Sequence, residues 1–275
     1  MMGEMNTEIA CIRLGNTNVI PITCPQLSRE ILKKQDAIFA SRPHTISTFL
    51  VTNVDKTAAL VPLGEQWKKM RKVITSELLS PMRHKWLTDK RVEEADHIVK
   101  YVYNQCNNNE GGGIVNLRLA TQHYCANVIK KMVLNKRYFG EEMEDGGPGL
   151  EEQKYLENVF TMLNYIYSFS VSDYIPCLRG LDLDGHEKII KDAIRDTTKY
   201  QDPLIEERVC EHQKLGNNKE AHDLLDILIS LKDKNGEPLL SLEEIKAQFS
   251  VSLSLTISHS IIIFSYVLRA CSYNY

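Results

Sequence analysis

The sequence predicts a mainly α protein with one small β-hairpin at its start. Three observations predict it. An alternating stretch rich in Ile, Val and Thr opens the chain at Thr7–Cys24, around a Gly15–Asn18 turn. From Leu27 onward, apolar residues recur at three- and four-residue spacing in segment after segment. Stretches rich in Gly, Asn or Pro separate those segments. The 275 residues are 43% hydrophobic and 25% charged, an ordinary globular balance with room for one large domain or two small ones. A net charge of −3 gives no reason to expect nucleic acid as a partner. The seven cysteines are odd in number and include no Cys-x-x-Cys pair, which argues for a reducing compartment and against a disulfide framework or a zinc site. His123 and Cys125 stand two apart, a spacing one helical face does not bring together, so no metal site is expected.

After the hairpin, Pro25 opens a helical pattern carrying Leu27, Ile31, Leu32 and Ile38, and Pro43 stops it. Residues 44–63 show no clean period and read as a long loop. Glu65–Leu79 is helical, with Trp67, Met70, Ile74 and Leu78 as its stripe. Lys90–Cys106 follows, with Val92, Ala95, Val99, Val102 and Cys106 expected inward. Asn107–Gly113 is a surface connection. Asn116–Tyr138 carries Leu117, Tyr124, Val128 and Met132 on one side. Residues 140–149 form an acidic loop, and Glu152–Phe169 is a helix laden with Tyr155, Phe160, Tyr165, Tyr167 and Phe169. A turn-rich link over 173–185 leads to a charged helix, Gly185–Leu215, expected to bend or break near Pro203. A short helix over Asp223–Lys232, a turn or small hairpin at 233–239, and a capping box, Ser241-x-x-Glu244, complete the order. Paired acids such as Glu93-Glu94 and Glu206-Glu207 are expected to be solvated. No nucleophile elbow, P-loop or dinucleotide fingerprint is present.

One constellation stands out, "GEQWKKMRK" at 64–72. Trp67 and Arg71 are four apart and share a helix face, so an indole N–H and a guanidinium can donate to a single anionic group. The same spacing also suits a core tryptophan with an arginine running beside it. Lys68, Lys69 and Lys72 make the rest of the segment cationic.

The order of hairpin, helix ending "FASRP", long loop and Trp-x-x-x-Arg helix resembles the N-terminal half of a cytochrome P450. The stretches "LVPLGEQWKKMRKVITSELLSPMRHKWLTDKRVEEADHIVKYVYNQC", "NKRYFG", "SVSDYIPCLRGLDLDGHEKIIK" and "DLLDILISLKDKNGEPLLSLEEIKAQ" are similar to the plant P450s that N-hydroxylate amino acids to aldoximes. The resemblance runs from about Asn6 to Gln248. It implies a haem enzyme on the cytoplasmic face of the endoplasmic reticulum membrane. Such an enzyme takes an amino-acid substrate and electrons from NADPH through cytochrome P450 reductase. It implies that Trp67 and Arg71 hydrogen-bond a haem propionate, that His44–Pro62 lines the substrate pocket, and that Phe160–Phe169 with the following link roofs it. The Lys68, Lys69 and Lys72 face falls where the family docks its reductase, and it also reads as an ordinary solvated face.

The resemblance stops near Gln248. Of the last 27 residues seven are Ser and only Arg269 carries a full charge, and Ser250–Ser258 alternates with period two. The expectation is a partial P450 domain over 1–248, interrupted in the oxygen-handling helix, and a non-family tail over 249–275 from read-through, a frameshift or a gene-model error. Cys271, in "RACSYNY", has neither the Phe-x-x-Gly lead nor the following Gly of the family's haem ligand. No catalytic residue or metal ligand is therefore assigned, the family's membrane anchor is not recognised, and the chain is expected to be inactive as written. The alternative is a non-catalytic helical protein that binds reductase or full-length P450s.

Overall fold

The hairpin forms where the alternation places it. Strands β1 (Ile12–Leu14) and β2 (Thr17–Val19) pair antiparallel in the register Ile12↔Val19 and Leu14↔Thr17. Gly15, at φ +57°, makes the turn, and the turn docks elsewhere on the chain: Asn16 N–H donates to the Tyr174 carbonyl at 3.0 Å. A Cβ on Gly15 would lie 2.0 Å from that carbonyl oxygen, so only glycine fits. The structure is a computed structural model that describes residues 3–4, 6–52, 56–107, 114–166, 168–215 and 220–250. Tyr167, most of the Asn107–Gly113 connection and the tail from Val251 with Cys271 lie outside the described residues.

The helices follow in the order read from sequence, with four differences. The segment after Pro25 is not one helix: α1 (Pro25–Arg29) widens into a π turn over Glu30–Lys34, breaks at Gln35, and resumes as α2 (Asp36–Phe39). Leu32 and Ile38 of its stripe are exposed. Residues 44–63 are not a loop throughout, because α3 (Ile46–Thr52) lies within them. Thr45 and Thr48 explain its start. Each backbone N–H donates to the other's hydroxyl, at 2.9 and 3.1 Å, a reciprocal cap without the usual carboxylate.

Helix α4 (Glu65–Val73) runs on as a π turn to Leu78, then α5 (Pro81–Trp86), capped by Ser80, leads to α6 (Thr88–Asn107). The third difference is the face α6 buries. Val92, Val99 and Cys106 are exposed, whereas Glu94 is buried. Helical pattern alone ranks a carboxylate as outward. Here Arg137, from beyond the next helix, reaches Glu94 at 3.2 Å and gives the buried charge a partner. Burial raises the Glu94 carboxyl despite that cation.

Helix α7 (Leu117–Leu134) is buried almost all round in its middle, so the stripe read from Leu117 and Met132 underestimates its contacts. It packs against α6 on one side and α11 (Leu224–Ser230) on another. Helix α8 (Leu150–Tyr165) lies along α10 (His186–Leu215), and the short α9 (Val171–Tyr174) falls between them in chain order. The fourth difference is that α10 runs unbroken through Pro203, so of the bend or break expected there the break does not occur. The core gathers Met70 of α4, Ala126 and Ile129 of α7, Tyr155 and Val159 of α8, Ile205 of α10 and Leu225 of α11.

The capping box forms as read and opens a further helix, α12, over residues 242–250. Ser241 N–H donates to Glu244 Oε2 at 2.8 Å, and Glu244 N–H to Ser241 Oγ at 3.2 Å. Phe249 is buried in the core, and Ser250 Oγ accepts from Gln201 at 2.5 Å. Replacing Ser241 with Ala should cost about 1 kcal/mol, because one orphan N–H of the first turn loses its acceptor. A urea-unfolding midpoint unchanged from wild type would overturn this.

Candidate functional site

Helix α4 begins after Pro62 and Gly64, with Glu65 in its first turn, a favourable place for a carboxylate. Met70 and Val73 are buried and seat it on the core. Its rotation is fixed from a second direction by Glu244 of α12. That carboxylate accepts from Gln66 at 2.7 Å and from Lys69 at 2.7 and 2.9 Å. Burial raises the Glu244 carboxyl, but the bonds from Lys69, the Ser241 N–H and Gln66 outweigh it and lower it overall.

With one face locked, the next face is set. A helix turns about 100° per residue, so Trp67 and Arg71 lie about 40° apart and to one side of the buried stripe. The Arg71 guanidinium sits over the Trp67 ring, 5.1 Å from its centroid. Trp67 is half-buried and Arg71 exposed. Among the described residues no carboxylate pairs with Arg71. Two donor side chains thus share one open face with guanidinium charge uncompensated, a donor set that fits an anionic group such as a carboxylate.

The lysines of this segment are less available than their spacing implies. Lys68 pairs with Glu65 at 2.7 Å, and Lys69 points into the Glu244 contact. Two of the three cations expected to form a docking face therefore have carboxylate partners, and Glu244, lying 175 residues from Lys69, carried no sequence signal for that pairing.

The structure also brings together the two segments expected to line and roof a substrate pocket. Thr45 Oγ1 donates to the Ile166 carbonyl at 3.2 Å, and Ile46 N–H donates to Asp173 Oδ1 at 2.8 Å. Ser47 and His186 are both buried, with Oγ and Nε2 2.5 Å apart. Helix α3 is thereby held against the junction between α8 and α10. Phe169, expected in the roof, is exposed and stacks on Tyr174 at 4.9 Å. Tyr155, read with the same aromatic group, is instead a core residue, 4.4 Å from Phe139. Sequence reasoning missed Ser47, Asp173 and His186. The available signal was the turn "LDLDGHE", whose Asp182 and Asp184 carboxylates accept the first N–H groups of α10.

His123 and Cys125 are both buried on α7, and among the described residues no group of three or more His, Cys, Asp or Glu could hold a metal ion. Burial, with Lys130 nearby, pushes the His123 imidazole down to about 4, so it is neutral at physiological pH.

This combination of a small two-stranded N-terminal sheet and a largely helical body is that of a cytochrome P450. The Cytochrome P450 family description matches residues 2–254, and the chain belongs to that family. It is 73% identical over 248 residues to a phenylalanine N-monooxygenase of Prunus mume, covering 90% of this chain and 46% of that protein. It is 54% identical over 250 residues to isoleucine N-monooxygenase 1 of Lotus japonicus, covering 90% and 46%. A tyrosine N-monooxygenase of Sorghum bicolor is 50% identical over 249 residues, covering 90% and 44%. The chain thus spans about half the length of the curated relatives it matches. A zebra fish cytochrome P450 solved with progesterone superposes with a TM-score of 0.65 at 18% identity, over 94% of this chain and 56% of that one. That likeness carries the fold.

Proposed function

We propose that this chain forms the N-terminal part of a haem-thiolate monooxygenase that N-hydroxylates an amino acid on the way to an aldoxime. The observation that carries the reading is the 73% identity to a phenylalanine N-monooxygenase over 90% of the chain. It makes phenylalanine the first substrate to test. When bound, a haem with a thiolate ligand supplies the oxygen-activating chemistry.

This chain's own residues bind and orient. Trp67 N–H and the Arg71 guanidinium hold a propionate from one side of α4, and the Gln66–Glu244–Lys69 contacts keep that side turned outward. Helix α3 and the 165–186 junction form part of the wall around the amino acid. Electrons come from NADPH through the reductase. Membership of the family supports a place at the endoplasmic reticulum membrane, and no helix among the described residues is long and apolar enough to cross one. An interaction role through the Lys68–Lys72 face has less support, because Lys68 and Lys69 already have carboxylate partners.

The test is to express the full-length gene product with a reductase and NADPH and to assay amino acids for their aldoximes. Aldoxime from phenylalanine is the expected result, and its absence with every amino acid tried would overturn the reading. In that enzyme Arg71→Leu should lower haem occupancy, read from the reduced-CO spectrum, while Lys72→Ala should not. Equal spectra for Arg71→Leu and wild type would remove Arg71 from the haem site. The 275-residue polypeptide itself is proposed not to hold haem, since none of its seven cysteines stands in a recognisable haem-ligand motif. A thiolate-type reduced-CO band from this polypeptide would refute that.

A further inference from the structure

The contact between Ser47 and His186 joins residues 139 apart in sequence and has no role in the function proposed above. Both side chains are buried, Ser47 at 1% exposure and His186 at 3%. The imidazole is engaged on three sides. Its Nε2 meets Ser47, its Nδ1 lies 3.4 Å from Ser168 Oγ, and its ring lies edge-on to Tyr165 at 5.1 Å. One proton arrangement satisfies all of these groups: Ser168 Oγ, 3.4 Å from the Tyr165 carbonyl, donates to it and accepts from His186 Nδ1–H, and Nε2 accepts from the Ser47 hydroxyl. The backbone of His186 is held in turn, its N–H donating to Asp184 Oδ1 at 3.3 Å while Asp184 Oδ2 accepts from Val171 N–H at 3.1 Å.

This arrangement ties a short helix, which also packs on α10, to the body of the chain. Helix α3 is only seven residues long, too short to persist on propensity alone. Its Phe49 is exposed, so apolar burial contributes little on that side. Among the described residues, hydrogen bonds from Thr45 and Ile46 and the Ser47–His186 contact tie it to the 165–186 segment.

We propose that His186 is a positioning residue: as the Nδ1–H tautomer it latches α3 onto the α8–α10 junction, and so fixes the shape of the amino-acid pocket. The second half rests on the proposed function, and the first half does not.

The test begins on the 275-residue chain and needs no turnover. Hydrogen–deuterium exchange is followed in peptides covering 46–52, with peptides from α7 as the internal control. Ser47→Ala removes one hydroxyl, and His186→Phe keeps the ring against Tyr165 while leaving Ser47 unpaired. Each should speed exchange over 46–52 by about tenfold or more, with α7 unchanged. The double variant should be no faster than His186→Phe, whereas His186→Gln, which offers an acceptor near the Nε2 position, should stay close to wild type. Nitrogen-15 NMR should show the His186 Nδ1–H tautomer. The latch is overturned by unchanged exchange in both single variants, by equal speeding in His186→Gln and His186→Phe, or by the Nε2–H tautomer. In the full-length enzyme, Ser47→Ala should raise the KM for the amino acid with little change in kcat. If exchange responds and KM does not, the pocket half is overturned alone. If the wild-type enzyme makes no aldoxime, it is the proposed function that has failed, and the exchange result stands.

Discussion

Lys130→Met should be among the most damaging single substitutions in the described chain, costing about 3–5 kcal/mol. The Lys130 ammonium and the Glu152 carboxylate are in hydrogen-bond contact with both side chains wholly inaccessible to solvent. Around the ammonium stand the rings of Phe139 at 5.0 Å, Tyr138 at 5.7 Å and Tyr155 at 5.9 Å. These faces offset part of the lost hydration. Burial nevertheless pushes the Lys130 amine below its ordinary value, with the Glu152 charge opposing that shift. Methionine preserves the length of the side chain and leaves the buried Glu152 carboxyl without its cation. The cost is therefore that of a buried acid stripped of its partner, and only secondarily one of packing. Lys130→Met/Glu152→Gln should recover at least half of the loss, since glutamine is neutral and still accepts from the Phe139 N–H, 3.2 Å from Glu152 Oε2. Urea-unfolding midpoints of the three proteins decide it. A double variant no more stable than Lys130→Met would show that the deficit comes from packing and not from charge.

Asp226→Asn should cost about 2 kcal/mol near neutral pH and almost nothing at pH 2. Asp226 is the hub that joins α10 to α11. Its Oδ1 accepts from Arg208 at 2.9 Å and meets His212 Nε2 at 2.8 Å, and its Oδ2 accepts from His222 N–H at 3.0 Å. Burial by itself raises the carboxyl, but the His212 bond, the His222 N–H and the Arg208 guanidinium outweigh it and bring it down from 3.8 to about 2. A carboxyl lowered in the folded state contributes stability in full above its unfolded value and loses it as pH falls through the folded one. The window therefore opens near pH 4 and closes near pH 2, and about 2 kcal/mol disappears across it. Stability measured against pH should converge for wild type and Asp226→Asn over this window. Parallel curves would show that Asp226 is not depressed in the fold.

Much of the local architecture could be read in the sequence because it depends on neighbours three or four residues away. The Ser241-x-x-Glu244 box closes as written, Asn116 caps α7 by accepting from Leu119 N–H, and Gly15 makes the turn of the hairpin. Helix α3 escaped because its cap uses two threonines and no carboxylate. The apolar stripe of α6 was legible as a pattern, yet Val92 and Val99 lie exposed. Periodicity shows that a helix has two faces and does not say which face meets a neighbour. The candidate haem face divides in the same way. The spacing of Trp67 and Arg71 gives their common side, whereas the Glu244 contacts that orient it come from α12.

The sequence by itself determined the β-hairpin, the order of the longer helices, the Ser241 capping box, the Trp67–Arg71 pair and the resemblance to a cytochrome P450. Each of these is written in residue type and short spacing. Only the tertiary structure decided which charges are buried and what holds them: Glu94 on Arg137, Lys130 on Glu152, Asp226 on Arg208 and His212, and His186 on Ser47. The reason is physical. A polar side chain enters the interior only when a partner meets it there, and these partners lie from 14 to 139 residues away along the chain.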